Sequence, residues 1–282
     1  MGYLQPSLRK EALQMSRDTL IWRIAPPILR NAHRPQRIVE RNAIVYRRTP
    51  MVFISGFFEP LFYLLSFRIG FGALIGDVEF AGMSIEYAKF VAPALMASSA
   101  MNGAVYDSTM NIYFKLRYSK TYDAMLASPL GAADVAIGEI LWAMLRGFIY
   151  SLSFLACLVV LGLAGSWWIL AALPACLLIG LAFAAVGMAL TTYMRSWADF
   201  DWVQTIMLPL FLFSATFYPL SAYGDFGWIV QLSPLYHGAA LVRGASLGVA
   251  TWGMLVHVLV LIVLAVVGLT VATRRIETLL LE

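Results

Sequence analysis

Between Arg146 and Arg195 the chain runs for 48 residues without a single Asp, Glu, Lys or Arg. As one helix that stretch would be about 72 Å long at 1.5 Å per residue. A bilayer's hydrocarbon core is about 30 Å thick, so the run is expected to cross twice. The break belongs at Gly162–Ser166, where two glycines and a serine interrupt the pattern and Trp167–Trp168 marks an interface. Composition agrees: 61% of the 282 residues are hydrophobic, 13% are charged, and the mean hydropathy is +0.77. A soluble domain carries about twice that charge fraction. The net charge of +4 is too small to argue for nucleic acid.

Other apolar stretches extend the count. Residues 202–224 and 244–273 are charge-free, 90–106 is apolar up to Asp107, and 51–76 carries only Glu59 and Arg68. The reading is an all-α membrane protein with six spans near 51–72, 90–111, 133–161, 167–194, 202–220 and 251–272. The basic residues orient it. Sixteen of the twenty fall in residues 1–50, in the 112–132 loop, at Arg195, and at Arg274–Arg275. Both termini are therefore expected on the cytoplasmic side of the plasma membrane. Residues 1–50 are polar and basic with no apolar core, so no secretory signal is expected there.

Three segments between the spans stand out. Residues 37–48 form an amphipathic pattern, with Ile38, Val39, Asn42, Ala43, Val45 and Tyr46 on one arc and Arg37, Glu40, Arg41, Arg47 and Arg48 on the other. Such a basic helix suits the headgroup layer of the inner leaflet. Residues 112–130 are too polar to cross, and a short helix is expected there, ended by Pro129, with Tyr118, Tyr122, Met125 and Leu126 on one side. That face either packs on its own bundle or docks in a groove of another protein. Residues 221–250 are half apolar, broken by Gly224, Gly227, Pro234 and Gly238, and read as a re-entrant hairpin on the outer side.

Chemistry within the chain has little support. No glycine is followed by lysine, which excludes a phosphate-cradling P-loop. His33, His237 and His257 lack metal-ligand spacing, and no G-x-S-x-G occurs. Cys157 and Cys176 lie in apolar stretches and read as buried thiols. The intramembrane charges Glu59, Arg68, Asp107, Glu139 and Arg146 are the internal functional candidates, with mutual pairing as the structural alternative.

Five stretches together resemble ABC-2 type exporter permeases, most closely the branch of nodulation protein J and daunorubicin-resistance exporters. They are FFEPLFYLLSFRIGFG at 57–72, KTYDAMLASPL at 120–130, GEILWAMLRG at 138–147, FSATFYPLS at 213–221 and SPLYHGAALVRG at 233–244. The similarity runs over about residues 35–275. It implies a type V ABC exporter-like fold, laid out as a cytoplasmic lead (1–36), a connecting helix (37–48), a six-span domain (51–272) and a tail (273–282). The proline-rich lead is a departure from the family's pattern, and the resemblance assigns it no role. It also implies two partners: a second permease, identical or paralogous, and a cytoplasmic ATPase subunit in two copies, which carries the ATP and Mg. The 115–128 segment becomes the coupling helix, with Lys115, Arg117, Tyr118, Lys120, Tyr122, Asp123, Met125 and Leu126 meeting the ATPase and Arg41 bordering it. The 221–247 hairpin becomes the extracytoplasmic re-entrant helices. A substrate path between two subunits would be lined by spans one, two and five, with Phe58, Glu59, Phe62, Phe211, Phe213, Phe217 and Tyr218 as candidates. The implied cargo is amphiphilic: a lipo-oligosaccharide, a lipid-linked glycan or a hydrophobic drug. An ion-coupled secondary transporter is the main rival. It predicts an inverted internal repeat, and no repeat is evident between 51–160 and 167–272.

Overall fold

The computed structural model describes residues 33–48, 58, 62–71, 75–80, 82–164, 167–249 and 251–281. Three helices among them are long and apolar enough to cross a membrane: Ala132–Val160, Trp167–Thr191 and Gly253–Leu279. Helix α1 (His33–Tyr46) lies ahead of the bundle. A helical stretch at 62–71 ends in a π-turn, Phe67–Phe71. Strands β1 (Asp77–Phe80) and β2 (Met83–Glu86) then pair antiparallel, with Asp77 opposite Glu86 and Val78 opposite Ile85. This hairpin departs from the all-α expectation. Val78, Phe80 and Ile85 supply a short period-two pattern, and Ile85 is buried.

Helix α2 (Tyr87–Tyr106) continues through a π-turn, Asp107–Asn111, into α3 (Ile112–Arg117). Helix α4 (Thr121–Leu126) follows a left-handed Lys120, φ 46°. Helix α5 (Ala132–Val160) is followed by a 3-10 turn, Trp167–Ala171, and α6 (Ala172–Thr191). The break between α5 and α6 falls where the glycines and serine were expected to place it. Helix α7 (Asp199–Leu212) stops short of the expected span end at 220. Pro209 lies in its last turn, and Ala215 takes a positive φ of 53° in the irregular segment beyond. The 221–247 region is built of short helices: a 3-10 turn, Leu220–Phe226, then α8 (Gly227–Gln231) and α9 (Pro234–Leu247). Helix α10 (Gly253–Leu281) runs well past the expected end at 272.

The core sits where α2, α5, α6 and α9 meet. Small residues allow this, because in a bilayer close backbone approach replaces the hydrophobic drive between helices. A Cβ on Gly147 of α5 would stand 2.5 Å from the Ala100 carbonyl of α2, so the two axes cross at a distance only glycine permits. Helix α10 packs on α6 and turns Leu255, Val256, Leu259, Val263, Val266 and Val267 outward, each more than half exposed. Helix α7 is the most weakly covered long helix: Phe200 is its only buried residue, while Trp202, Ile206 and Leu208 are exposed.

Candidate functional site

The basic end of the bundle holds a connected polar network built from α1, α2, α3 and α5. Lys115 of α3 reaches back into the core, where its Nζ donates to both oxygens of Glu139, at 2.9 and 2.8 Å. Glu139 is fully buried and the Lys115 side chain is 9% exposed. Asn42 of α1 completes the set. Its Nδ2 donates to Glu139 Oε2 at 3.0 Å, and its Oδ1 accepts from Lys115 at 3.1 Å. A second cluster lies alongside. Arg146 Nη1 donates to Asp107 Oδ1 at 2.6 Å, which also accepts from the Tyr46 hydroxyl at 3.0 Å and from Asn111 at 3.2 Å. The guanidinium also sits over the rings of Tyr46 and Tyr150. Burial and the Asp107 charge raise the Tyr46 phenol above its ordinary pKa, so it stays a donor.

Helix α1, expected to suit the headgroup layer, is also bolted to the bundle. Its inward ridge is Pro35, Ile38, Asn42 and Tyr46, at helical spacing. Ala43 and Val45, expected on the apolar arc, are exposed. Gly138 of α5 makes the docking possible, since a Cβ there would fall 2.7 Å from Ile38 Cβ and 2.9 Å from the Pro35 carbonyl. Asn42, in the middle of the arc, was the sequence signal for this polar lock.

The remaining predicted residues divide as follows. In the 115–128 segment, Tyr122 is fully buried and Met125 is 9% exposed, both inside their own bundle, and Lys115 is held by Glu139. These three are corrected from docking residues to internal ones, Tyr122 and Met125 because the apolar side of α4 turns onto the core and Lys115, on α3, because Glu139 holds it there. Burial and the Glu139 charge push the Tyr122 phenol well above its ordinary pKa. Left exposed are Arg41, Arg117, Tyr118, Lys120 and Asp123, with Leu126 half-buried. Of the internal charges, Arg146 takes Asp107 rather than Glu139, and Arg68 donates to the Leu161 carbonyl at 2.7 Å. Glu59 lies outside the described residues. Among the path candidates, Phe211 and Phe217 meet at 5.1 Å, Phe217 stacks on Phe67 at 5.2 Å, and Tyr63 touches Phe211 at 6.2 Å. Phe58, Phe62, Phe213 and Tyr218 are exposed. A cavity of about 340 Å³ separates α2 from α7, bordered by Asn102, Tyr106, Gln204 and Met207.

Sequence reading missed an aromatic clasp. Tyr113 of α3 packs against Phe200 at 5.2 Å and Trp197 at 5.3 Å, and Trp197 also touches Tyr118 at 5.6 Å. It joins the 118–126 segment, through its exposed Tyr118, to the start of α7, and the run of aromatics at 113, 114 and 118 was its trace in the sequence.

Three helices long and apolar enough to cross a membrane, packed through small residues with α2 and α9, define a helical membrane protein. The chain belongs to the ABC-2 type transporter family, whose model matches residues 36–247. It is similar to nodulation protein J of Rhizobium leguminosarum bv. viciae, with 28% identity over 83% of this chain and 90% of that one. It is similar to the same protein in Sinorhizobium fredii, with 28% identity over 80% and 86%, and in Rhizobium leguminosarum bv. trifolii, with 28% over 86% and 92%.

Proposed function

We propose that this chain is the permease subunit of an ATP-driven ABC exporter that moves an amphiphilic substrate outward across the plasma membrane. Two six-span copies, or this chain and a paralogue, pair along the exposed faces of α7 and residues 62–71. Each binds a separate cytoplasmic ATPase subunit, which carries the ATP and Mg. The basic end, with both termini, faces the cytoplasm, and the cargo is a lipo-oligosaccharide, a lipid-linked glycan or a hydrophobic drug.

The observation that supports this reading best is the aromatic clasp. Tyr118 is 54% exposed on the surface where an ATPase would press, and through Trp197 it touches Phe200, the one buried residue of α7. A displacement of the 118–126 segment is thereby delivered to the helix that borders the 340 Å³ cavity and the Phe211–Phe217–Phe67 seam. Arg117, Lys120 and Asp123 form the docking rim beside it, and Glu59 is assigned to a polar head of the cargo.

The test is co-purification followed by reconstitution. The chain is expected to hold a P-loop ATPase through purification, and Lys120→Glu with Asp123→Lys is expected to release it. Trp197→Ala is expected to keep the ATPase bound while lowering transport per ATP hydrolysed. Transport driven by an ion gradient without any ATPase overturns the proposal. Glu59→Gln tests the cargo contact, and unchanged transport with unchanged substrate-stimulated hydrolysis removes it.

A further inference from the structure

The end of the bundle opposite the polar locks contains a cation with no counter-ion. Arg243 of α9 is 3% exposed and forms no ion pair with any described residue. Part of its role is structural. Nε donates to the Phe90 carbonyl at 3.0 Å, Nη2 donates to Ala215 and Thr216 at 2.8 and 3.3 Å, and the guanidinium lies 3.9 Å from the centroid of the Phe90 ring. Those bonds hold the irregular segment after α7 against α2. They leave Nη1 without a hydrogen bond among the described residues, and that atom retains accessible surface. A buried charge in this condition is costly unless something neutralises it.

Arg243 lines a cavity of about 200 Å³ together with Tyr236, Thr251 and His257. The Tyr236 and Thr251 hydroxyls make no hydrogen bond within the described residues. His257 is engaged through one nitrogen only, its Nδ1 lying 2.7 Å from Nδ1 of His237, whose Nε2 faces the Gln231 carbonyl at 2.9 Å. If both rings are neutral, the carbonyl fixes the proton of His237 on Nε2, so His257 supplies the proton between the rings and its Nε2 is free. Next to this polar chamber lies an apolar cavity of about 600 Å³, lined by Trp168, Ala175, Leu178, Leu241, Ala245 and Val258. The two share Gly244, Val249 and Met254 as a common wall. Trp168 is largely exposed, which suits the interfacial level of a bilayer.

We infer that these adjoining cavities form a binding site for an anionic phospholipid of the outer leaflet, with its phosphate at Arg243 and an acyl chain along the apolar chamber. Charge complementarity selects the head: a guanidinium with a spare donor, flanked by two unpartnered hydroxyls, matches a phosphate oxygen. The chamber selects the tail, since it is large, apolar and placed between α6, α9 and α10. The site is separate from the path between subunits proposed above. Its leaflet rests on the orientation proposed above, but the lipid contacts themselves use only the membrane setting of the chain, so its failure leaves the exporter reading standing.

The test is native mass spectrometry of the detergent-purified full chain, with dioleoyl phosphatidylglycerol or dioleoyl phosphatidylcholine added at equal concentration. Phosphatidylglycerol is expected to be retained about tenfold more strongly: both lipids offer a phosphate to Arg243, but phosphatidylcholine brings a quaternary ammonium that leaves the buried guanidinium without a net counter-charge. Arg243→Gln is expected to abolish that preference. Because this variant also releases Phe90 and Ala215, Ala245→Trp is the second arm: it fills the apolar chamber, leaves every Arg243 bond in place, and is expected to lower retention of both lipids. Equal retention of the two lipids by the unaltered chain overturns the proposal, as does undiminished phosphatidylglycerol binding in Ala245→Trp. Glycerol 3-phosphate separates the sources. Displacement of the lipid by this chainless anion at comparable concentration overturns the lipid assignment and leaves a simple anion site.

Discussion

Removing one member of the Lys115–Glu139 pair should unfasten the basic end of the bundle. Glu139 is fully buried and accepts from both Lys115 and Asn42. Lys115→Met leaves that carboxylate facing a thioether methyl where an ammonium stood, with one hydrogen bond from Asn42. Breaking a buried pair from one side costs about 3–5 kcal/mol, because the remaining charge is uncompensated. At about 2–4 °C per kcal/mol for a chain of this size, the thermal midpoint in detergent should fall by roughly 6–20 °C. Glu139→Leu should cost a similar amount by stranding the lysine. Replacing both members with apolar residues removes both charges, and such exchanges are often close to neutral. The double variant should therefore be more stable than either single one, giving a coupling of about 2–3 kcal/mol in a double-mutant cycle. Asn42 loses both partners in the double variant, which keeps the recovery incomplete. Thermal unfolding of the four proteins, followed by tryptophan emission, reads the cycle. Additivity of the two single losses to within about 0.5 kcal/mol refutes the lock.

Four smaller perturbations probe the surrounding parts. Gly138→Val places side-chain atoms on Ile38 and Pro35, so α1 should lift from α5 at an overpacking cost of about 1–3 kcal/mol, seen as faster amide exchange across 35–46. Tyr122→Phe removes a buried hydroxyl that makes no hydrogen bond and should leave stability unchanged or raise it by about 1 kcal/mol in thermal melts. The same substitution has a pH signature. The folded phenol sits well above its ordinary pKa, so its stabilising contribution is complete below the unfolded value near 10 and is lost as pH rises from there toward the folded pKa. Removing the hydroxyl should flatten that alkaline loss in a pH series of melts. Asp107→Asn strips Arg146 of its ion-pair partner beside Tyr46, so α1 should loosen and the melting point fall by several degrees, while Arg68→Ala, which removes one exposed bond to the Leu161 carbonyl, should shift it by no more than a degree or two.

Much of the architecture was legible because charge is confined. The 48-residue run without a charge places the α5–α6 break at 162–166, and the helices around it begin and end within a few residues of expectation. Residues 221–247 were legible for a different reason: their apolar stretches are too short to span, and Pro234 and the glycines mark the joints. The site was less legible. Helical spacing puts Tyr122 and Met125 on one face but says nothing about which side that face meets, and the structure turns it inward. Lys115 looked like a surface cation because its carboxylate partner lies 24 residues away. Asn42 and Glu139 are 97 residues apart, and no local period links them. The β-hairpin was hidden for the opposite reason. Its signal spans only four residues per strand, and three of those eight residues are acidic.

The bonds also divide the molecule into a frame and a lever. Helix α2 is held at both ends: its carbonyl at Phe90 takes the Arg243 Nε donor at one end, and Asp107, just past its other end, is bound by Arg146 and Tyr46. Glycines 103 and 147 fix its crossing with α5 in between. Helix α7 is held more loosely: Gln204 donates to the Tyr106 hydroxyl of α2 at 3.5 Å, and Arg243 holds only the segment beyond its end. It has one buried residue, a cavity of about 340 Å³ on the side facing α2, and an irregular segment rather than a helical continuation after Leu212. Its attachment to the frame is concentrated at the aromatic clasp, where the contacts are ring faces and edges with no hydrogen bond between the side chains. Ring contacts of this kind can slide by an ångström or two at small cost, whereas the ion pairs that hold α1, α3 and α5 cannot stretch without exposing charge. A push on Tyr118 therefore meets a rigid body through Lys115 and a compliant one through Trp197. The relative movement falls between α2 and α7, along the line where the Phe211–Phe217–Phe67 seam is stacked. For the exporter proposed above, this division of polar and aromatic contacts would let a path between α2 and α7 open and close without unlocking the bundle.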